Sequence, residues 1–180
     1  LDFFSLPSSF LLAVLGIAIF ALSLAAHQSR LSAKPFGPGL FDGNEQSVQF
    51  FTGQGLKGPV FNNYDIGGYL IFYLFPKERV FVDNRPEAYS KEFLEREYIS
   101  IQESELRWQA AQNQYGFNAV FFAWHDATPW GQQFLIERVK DKTWAPVYVD
   151  NFNIIFLKRN GQNQKIIDKF ELPKDYFKVI

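Results

Sequence analysis

Hydrophobic and polar positions fall into two regimes along the chain. Residues 3–29 contain no Asp, Glu, Lys or Arg, and within residues 10–26 only Gly16 and Ser23 interrupt the apolar run. A helix that crosses a bilayer needs about 20 largely apolar residues. Pro7 with Ser8 and Ser9 suits a helix start, and His27, Gln28, Ser29 and Arg30 mark a polar exit. The pattern predicts a transmembrane helix over residues 1–29. A signal peptide would open on a basic region, whereas only Asp2 precedes this run. A core helix would be shorter or carry a polar stripe.

Beyond Arg30 the apolar residues are spaced. Residues 30–43 hold Pro35, Gly37, Pro38, Gly39 and Gly43, a linker composition, and a soluble domain is expected over 44–180. Residues 44–52 read as a short helix with Val48 and Phe51 inward, closed by Gly53 and Gly55. Short β-rich runs follow at 59–62, 79–83, 118–124, 145–150 and 152–158. Residues 66–75, almost wholly apolar and stopped by Pro76, read as a buried helix, with a strand as the alternative. Residues 87–98 and 103–115 carry helical patterns, the second closed by Gly116 in the position of a left-handed cap. Thr128 and Pro129 start a further helix through about Val139 as N-cap and first-turn pair. This alternation predicts an α/β domain with a mostly parallel sheet of about five strands and helices on both faces. A C-terminal antiparallel hairpin about Asp150 and Asn151 completes it, and one transmembrane helix precedes it.

Composition narrows the function classes. With 18 Lys plus Arg against 19 Asp plus Glu the formal charge is -1, without the basic excess of a nucleic-acid binder. Aromatic residues are 18% of the chain, which excludes general disorder. The absence of cysteine excludes disulfides, thiolate metal sites and cysteine nucleophiles, and two histidines exclude a multi-histidine zinc site. The start at Leu1 without any methionine is expected of a piece of a longer protein. Arg30 and Lys34, just after the apolar run, weakly favour a cytoplasmic C-terminal side.

Candidate chemistry gathers at strand ends. In open α/β sheets ligands bind outside the carboxyl ends of the strands, and three predicted strands run into polar residues there. Asn62, Asn63, Tyr64 and Asp65 follow the first, Asp83, Asn84 and Arg85 the second, and His125 and Asp126 the third. Gly67 and Gly68 open the next helix, where free N–H groups suit an anion or a peptide carbonyl. Asp65 as a helix cap with packing glycines is the blander alternative. Asp83 with Arg85 reads as a ligand clamp, a metal-assisting pair or a local salt bridge before Pro86. His125 with Asp126 offers a general base if a substrate hydroxyl lies within reach, but no Gly-x-Ser-x-Gly motif supplies a nucleophile. Residues 53–58 match neither the Walker nor the dinucleotide pattern, and no signature loop marks a Mg²⁺ or Ca²⁺ site. Trp108, Trp124, Trp130 and Trp144 suit core packing or a sugar- or lipid-facing surface. These residues are read as a substrate-binding set without a catalytic residue, a metal ligand or a cofactor of their own.

The run Gly58-Pro59-Val60-Phe61-Asn62-Asn63-Tyr64-Asp65-Ile66-Gly67-Gly68-Tyr69-Leu70, followed by Val80-Phe81-Val82-Asp83-Asn84-Arg85-Pro86-Glu87-Ala88-Tyr89, carries a resemblance. It resembles the tail domain of bacterial polytopic membrane proteins related to the GT-C glycosyltransferases, the class that uses lipid-phosphate sugars. The match covers residues 47–89 well and the rest in pattern. A more distant likeness is to oligosaccharyltransferase catalytic subunits, whose soluble domain carries a Trp-Trp-Asp-Tyr-Gly motif that grips the hydroxyl side chain of the acceptor. Asn62-Asn63-Tyr64-Asp65 and Gly67 stand where that motif would, and Asp83-Asn84 where a later Asp-Asn pair would, but both tryptophans are absent. The resemblance implies an extracytoplasmic domain after a transmembrane bundle in a multi-pass cell-membrane protein, which overrules the orientation hint. It also implies a lipid-linked sugar donor for the parent, a catalytic acid in earlier loops, and no transferase activity in this piece alone.

Two readings follow. In the first, the domain helps position a glycan, lipid or peptide acceptor for a membrane glycosyltransferase-like protein, with the bilayer and the upstream bundle as partners and no nucleic acid. In the alternative, it is a single-pass, membrane-anchored α/β module for ligand binding or assembly.

Overall fold

The described residues of this computed structural model are Ile17, Ala18 and 45–177. Within the unit Asn44–Ile180, apolar segments form four strands: β1 (Val60–Asn62), β2 (Ala119–Ala123), β3 (Trp144–Val149) and β4 (Asn153–Lys158). They pair in the order β1-β2-β4-β3. β1 lies parallel to β2 with Phe61 opposite Val120, whereas β4 runs antiparallel to both β2 and β3.

Side chains alternate across a strand, and here both sets are buried. Phe61, Val120, Phe122, Ile154 and Phe156 pack on one face, and Val60, Ala119, Phe121, Ile155 and Leu157 on the other. A sheet covered on both sides needs strands apolar at every position, which is how Ala119–Ala123 reads. The second face is covered by α1 (Glu45–Gly53) through Val48 and Phe51, α2 (Gly67–Leu74) through Leu70 and Leu74, and α6 (Gln164–Phe170) through Ile167. The first face is covered by the π-helical turn Phe93–Ile99 with α3 (Ser100–Glu103), by α4 (Glu105–Tyr115) and by α5 (Pro129–Lys140). Gly116 ends α4 at φ +63°, and Thr128 Oγ1 accepts from Gly131 N at 3.2 Å to start α5.

The first-face core is aromatic. Phe61 lies 5.2 Å from Trp108, 5.2 Å from Phe117 and 5.1 Å from Phe134, centroid to centroid. Arg138 is 1% exposed beneath these rings, its guanidinium 4.7 Å from the Trp108 centroid, and it donates to Asp141 Oδ2 at 2.9 Å and to Glu105. Desolvation outweighs both carboxylates and lowers its pKa. A buried cation needs these partners to be tolerated at all.

The sheet corrects the expected one in number and direction. Among the described residues it has four strands and is mixed, with one parallel pair, rather than about five mostly parallel strands. The β-rich run 79–83 forms no strand, and its one backbone ladder contact among the described residues is a bridge from Val80 to Val60. A side chain takes the next backbone groups: Asn62 Oδ1 accepts from Phe81 N at 2.9 Å, and Asn62 Nδ2 donates to Val82 O at 2.7 Å. Strand order follows from Pro146, which has no N–H to give a second neighbour and keeps β3 at the edge, with a register shift between Pro146 and Tyr148. β4, NIIFLK, takes the inner place. Residues 87–98, read as one helix, divide into a 3-10 turn, Pro86–Ala88, and the π-helical turn. The expected transmembrane helix and linker lie outside the described residues apart from Ile17 and Ala18. Among the described residues no helix is long and apolar enough to cross a membrane.

Gly67 sets the spacing between α2 and the 82–83 backbone. A Cβ there would stand 2.2 Å from Val82 O and 2.3 Å from Asp83 Cα. Gly67→Ala should lower unfolding stability by about 1–3 kcal/mol, measured by urea titration. Gly53→Ala, where the added methyl meets nothing within 4 Å, should leave it unchanged or slightly raised.

Candidate functional site

Because β1 and β2 are parallel, Asn62 and Ala123 end on the same edge of the sheet. The polar residues that follow are therefore brought together, and most become braces. Asn62 and Asn63 are 0% exposed. Asn63 Oδ1 accepts from Ala123 N at 2.9 Å, and its Nδ2 donates to Asp126 Oδ2 at 3.3 Å, so one carboxamide ties the two strand ends. Asp126 also accepts from Thr128 N at 2.9 Å and Thr128 Oγ1 at 2.7 Å, fixing the start of α5. Gly131 is required beside it, since a Cβ would lie 2.8 Å from that carboxyl group.

Asp83 is equally committed. Arg85 Nε and Nη2 each donate to it at 2.8 Å, Arg85 N at 3.1 Å, and Tyr89 Oη at 3.1 Å. Tyr89 Oη in turn accepts from Asp83 N at 3.0 Å. The Arg85 hydrogen bonds hold the Asp83 carboxyl below its ordinary pKa. Of the three roles open to this pair, the geometry is that of the local salt bridge closing the loop before Pro86. Asn84 is exposed, and its Oδ1 occupies the space that a Cβ on Gly68 would need. His125 is exposed and stacked on Trp124 at 3.5 Å between centroids.

Asp65 differs. It is the exposed middle residue of the turn Tyr64–Ile66, and no group among the described residues hydrogen-bonds or ion-pairs with it. It does not cap α2: the N-cap position is Ile66, and no side chain caps there. Asp65 borders a cavity of about 220 Å³ whose walls include Tyr64, Leu94, Tyr98, Ile99 and Trp130. Tyr98 Oη accepts from Tyr64 N at 2.8 Å, which holds the turn against the π-helical segment. Desolvation by these walls, and secondarily the nearby Asp126, raises the Asp65 pKa. A carboxylate so placed is able to accept hydrogen bonds from hydroxyl or amide groups, beside the aromatic walls of Trp130 and Tyr64.

Tyr98, Leu94 and Trp130 complete this cavity. Tyr98 and Leu94 sit in a segment that reads as an ordinary amphipathic helix, so nothing local marks them. Trp130 was one of four candidate surface tryptophans; Trp108 and Trp144 are 1% exposed in the core, and Trp124 donates its indole N–H to Asp150 O at 2.8 Å. Among the described residues no group of three or more His, Cys, Asp or Glu could hold a metal ion. No family model, curated protein or solved structure matches this chain.

The two aspartates respond oppositely to pH. A raised carboxyl pKa penalises the ionised fold, a penalty present above that pKa and relieved as pH falls toward the ordinary 3.8. Asp65→Asn should therefore raise the urea midpoint at neutral pH, with the gain vanishing near pH 4. A lowered pKa stabilises above the ordinary value and is lost as pH falls through it. Arg85→Gln should lower the midpoint at neutral pH, and the deficit should shrink below pH 4.

Proposed function

We propose that residues 44–180 act as the extracytoplasmic, acceptor-positioning domain of an integral membrane glycosyltransferase-like protein. The lipid-linked sugar donor and the catalytic acid belong to other parts of that protein. The observation that carries this reading is that Asp65 borders an aromatic-walled cavity and, unlike Asp83 and Asp126, has no hydrogen-bond or ion-pair partner among the described residues. About 220 Å³ accommodates one sugar ring or one amino-acid side chain, smaller than the sites that enclose a drug-sized ligand. The ring faces of Trp130 and Tyr64 support a ligand's C–H surface, and the carboxylate selects its hydroxyl or N–H groups. The role proposed for Asp65 is orientation of the acceptor, and among the described residues the cavity lining pairs it with no nucleophile and base.

In the complete protein, Asp65→Asn should raise the acceptor KM by about ten-fold, the loss of one charge-assisted hydrogen bond. The value of kcat at saturating acceptor should persist and the urea midpoint should not fall. Asp83→Ala should lose activity together with stability, because it unties the 83–89 loop. An unchanged acceptor KM in Asp65→Asn would remove the basis for the proposal.

A further inference from the structure

Helix α2 has packed sides and one bare side. Gly67, Leu70 and Leu74 are buried toward the sheet. Tyr69 and Tyr73 lean on α1, with Tyr69 Oη 3.0 Å from Ser47 Oγ and Tyr73 Oη donating to Glu45 Oε1 at 2.9 Å. The helical turn points Phe72 away from both, and Phe75, the extended residue that ends the helix, is exposed beside it. Phe72 is 76% and Phe75 63% exposed, an outward aromatic pair three residues apart that the core does not use. Lys77 and Arg79 follow, both exposed, and neither has an ion-pair partner among the described residues. Glu78 between them turns back to Lys57 Nζ at 3.3 Å and to Gly58 N at 2.8 Å. Beside Phe75 lies a cavity of about 360 Å³ with Phe51, Leu56 and Leu74 in its walls and Lys57 and Lys77 among its lining.

Exposed rings beside unpaired cations suit the boundary between headgroups and acyl chains, where rings insert and the cations meet lipid phosphates. The same polypeptide carries the apolar run 10–26, and the 18 residues from 27 to 44 can reach at most about 60 Å from its end to α1. A bilayer holding that run is within reach of the domain. The geometry points to the outer side and C-terminal end of α2 as a docking surface for an anionic bilayer, with Phe72 and Phe75 inserted and Lys77 and Arg79 on headgroup phosphates. It stands on observations separate from the Asp65 cavity.

The chain lacks cysteine, so single labels can be placed cleanly. Phe72→Cys and Leu106→Cys, each bearing an environment-sensitive fluorophore, are compared in the full chain reconstituted into phosphatidylcholine vesicles containing phosphatidylglycerol. Leu106, 81% exposed, lies on α4 over the opposite face of the sheet. The label at 72 should shift to the blue and be quenched by nitroxide-bearing acyl chains, and the label at 106 should do neither. Lys77→Gln combined with Arg79→Gln should lower the ratio of docked to undocked domain roughly five-fold for each charge removed. Three results would overturn the proposal. These are equal water exposure of the two labels, a shielded label at 72 that lipid nitroxides do not quench, and quenching indifferent to the two charges and to anionic lipid.

Discussion

The Asn62 carboxamide holds the position that a fifth strand would have filled. Buried at the end of β1, it accepts from Phe81 N and Val82 N and donates to Asn63 O and Val82 O. Buried backbone groups must find partners, and one side chain supplies them for a segment that bends away from the sheet after Val80. Everything downstream is placed by that bend. Val82 and Asp83 come close enough to α2 that only glycine fits at position 67. Asp83 then meets Arg85 and Tyr89, and Tyr89 stacks on Phe93 at 5.3 Å where the π-helical segment begins. That segment carries Tyr98 back to the Tyr64 backbone and so closes the cavity under Asp65.

The two faces of the sheet differ in character. One is packed by aromatic rings around Phe61 with a buried arginine beneath them, while the other is mainly aliphatic against α1, α2 and α6. Arg138 is tolerated among the rings because Glu105, Asp141 and the Trp108 face share its charge. On the aliphatic side α2 buries Leu70 and Leu74 and leaves Phe72 exposed. The carboxyl ends of β1 and β2 lie between these layers, which is why the polar cluster forms at that edge.

Polar residues at the edge thus divide by commitment. Asn62, Asn63, Asp83 and Asp126 satisfy backbone groups or guanidinium, and a buried polar group used in this way is costly to divert. Asp65 holds no such bond among the described residues. That division was invisible along the chain, where Asp65, Asp83 and Asp126 all follow apolar runs in the same manner. The choice of Asp65 emerges once each hydrogen bond is traced to its partner. Trp130 was legible only as one of four tryptophans, and Tyr98 only as a helix residue, because cavity walls are assembled from segments far apart in sequence.

What the sequence determined by itself was local. Apolar runs located the four strands. A helix before Pro76 was legible, although it spans Gly67–Leu74 and is not buried as expected, since Phe72 and Phe75 are exposed. Thr128-Pro129 and Gly116 marked helix ends, since capping depends on residues within a turn of one another. The tertiary structure decided the rest. Residues 79–83 have the composition of a strand, yet whether they join the ladder depended on a competing carboxamide 20 residues earlier. Strand direction depended on β4 inserting between β2 and the proline-bearing β3. Those outcomes turn on which distant partner satisfies each buried backbone group, a competition settled only when all the segments are packed together.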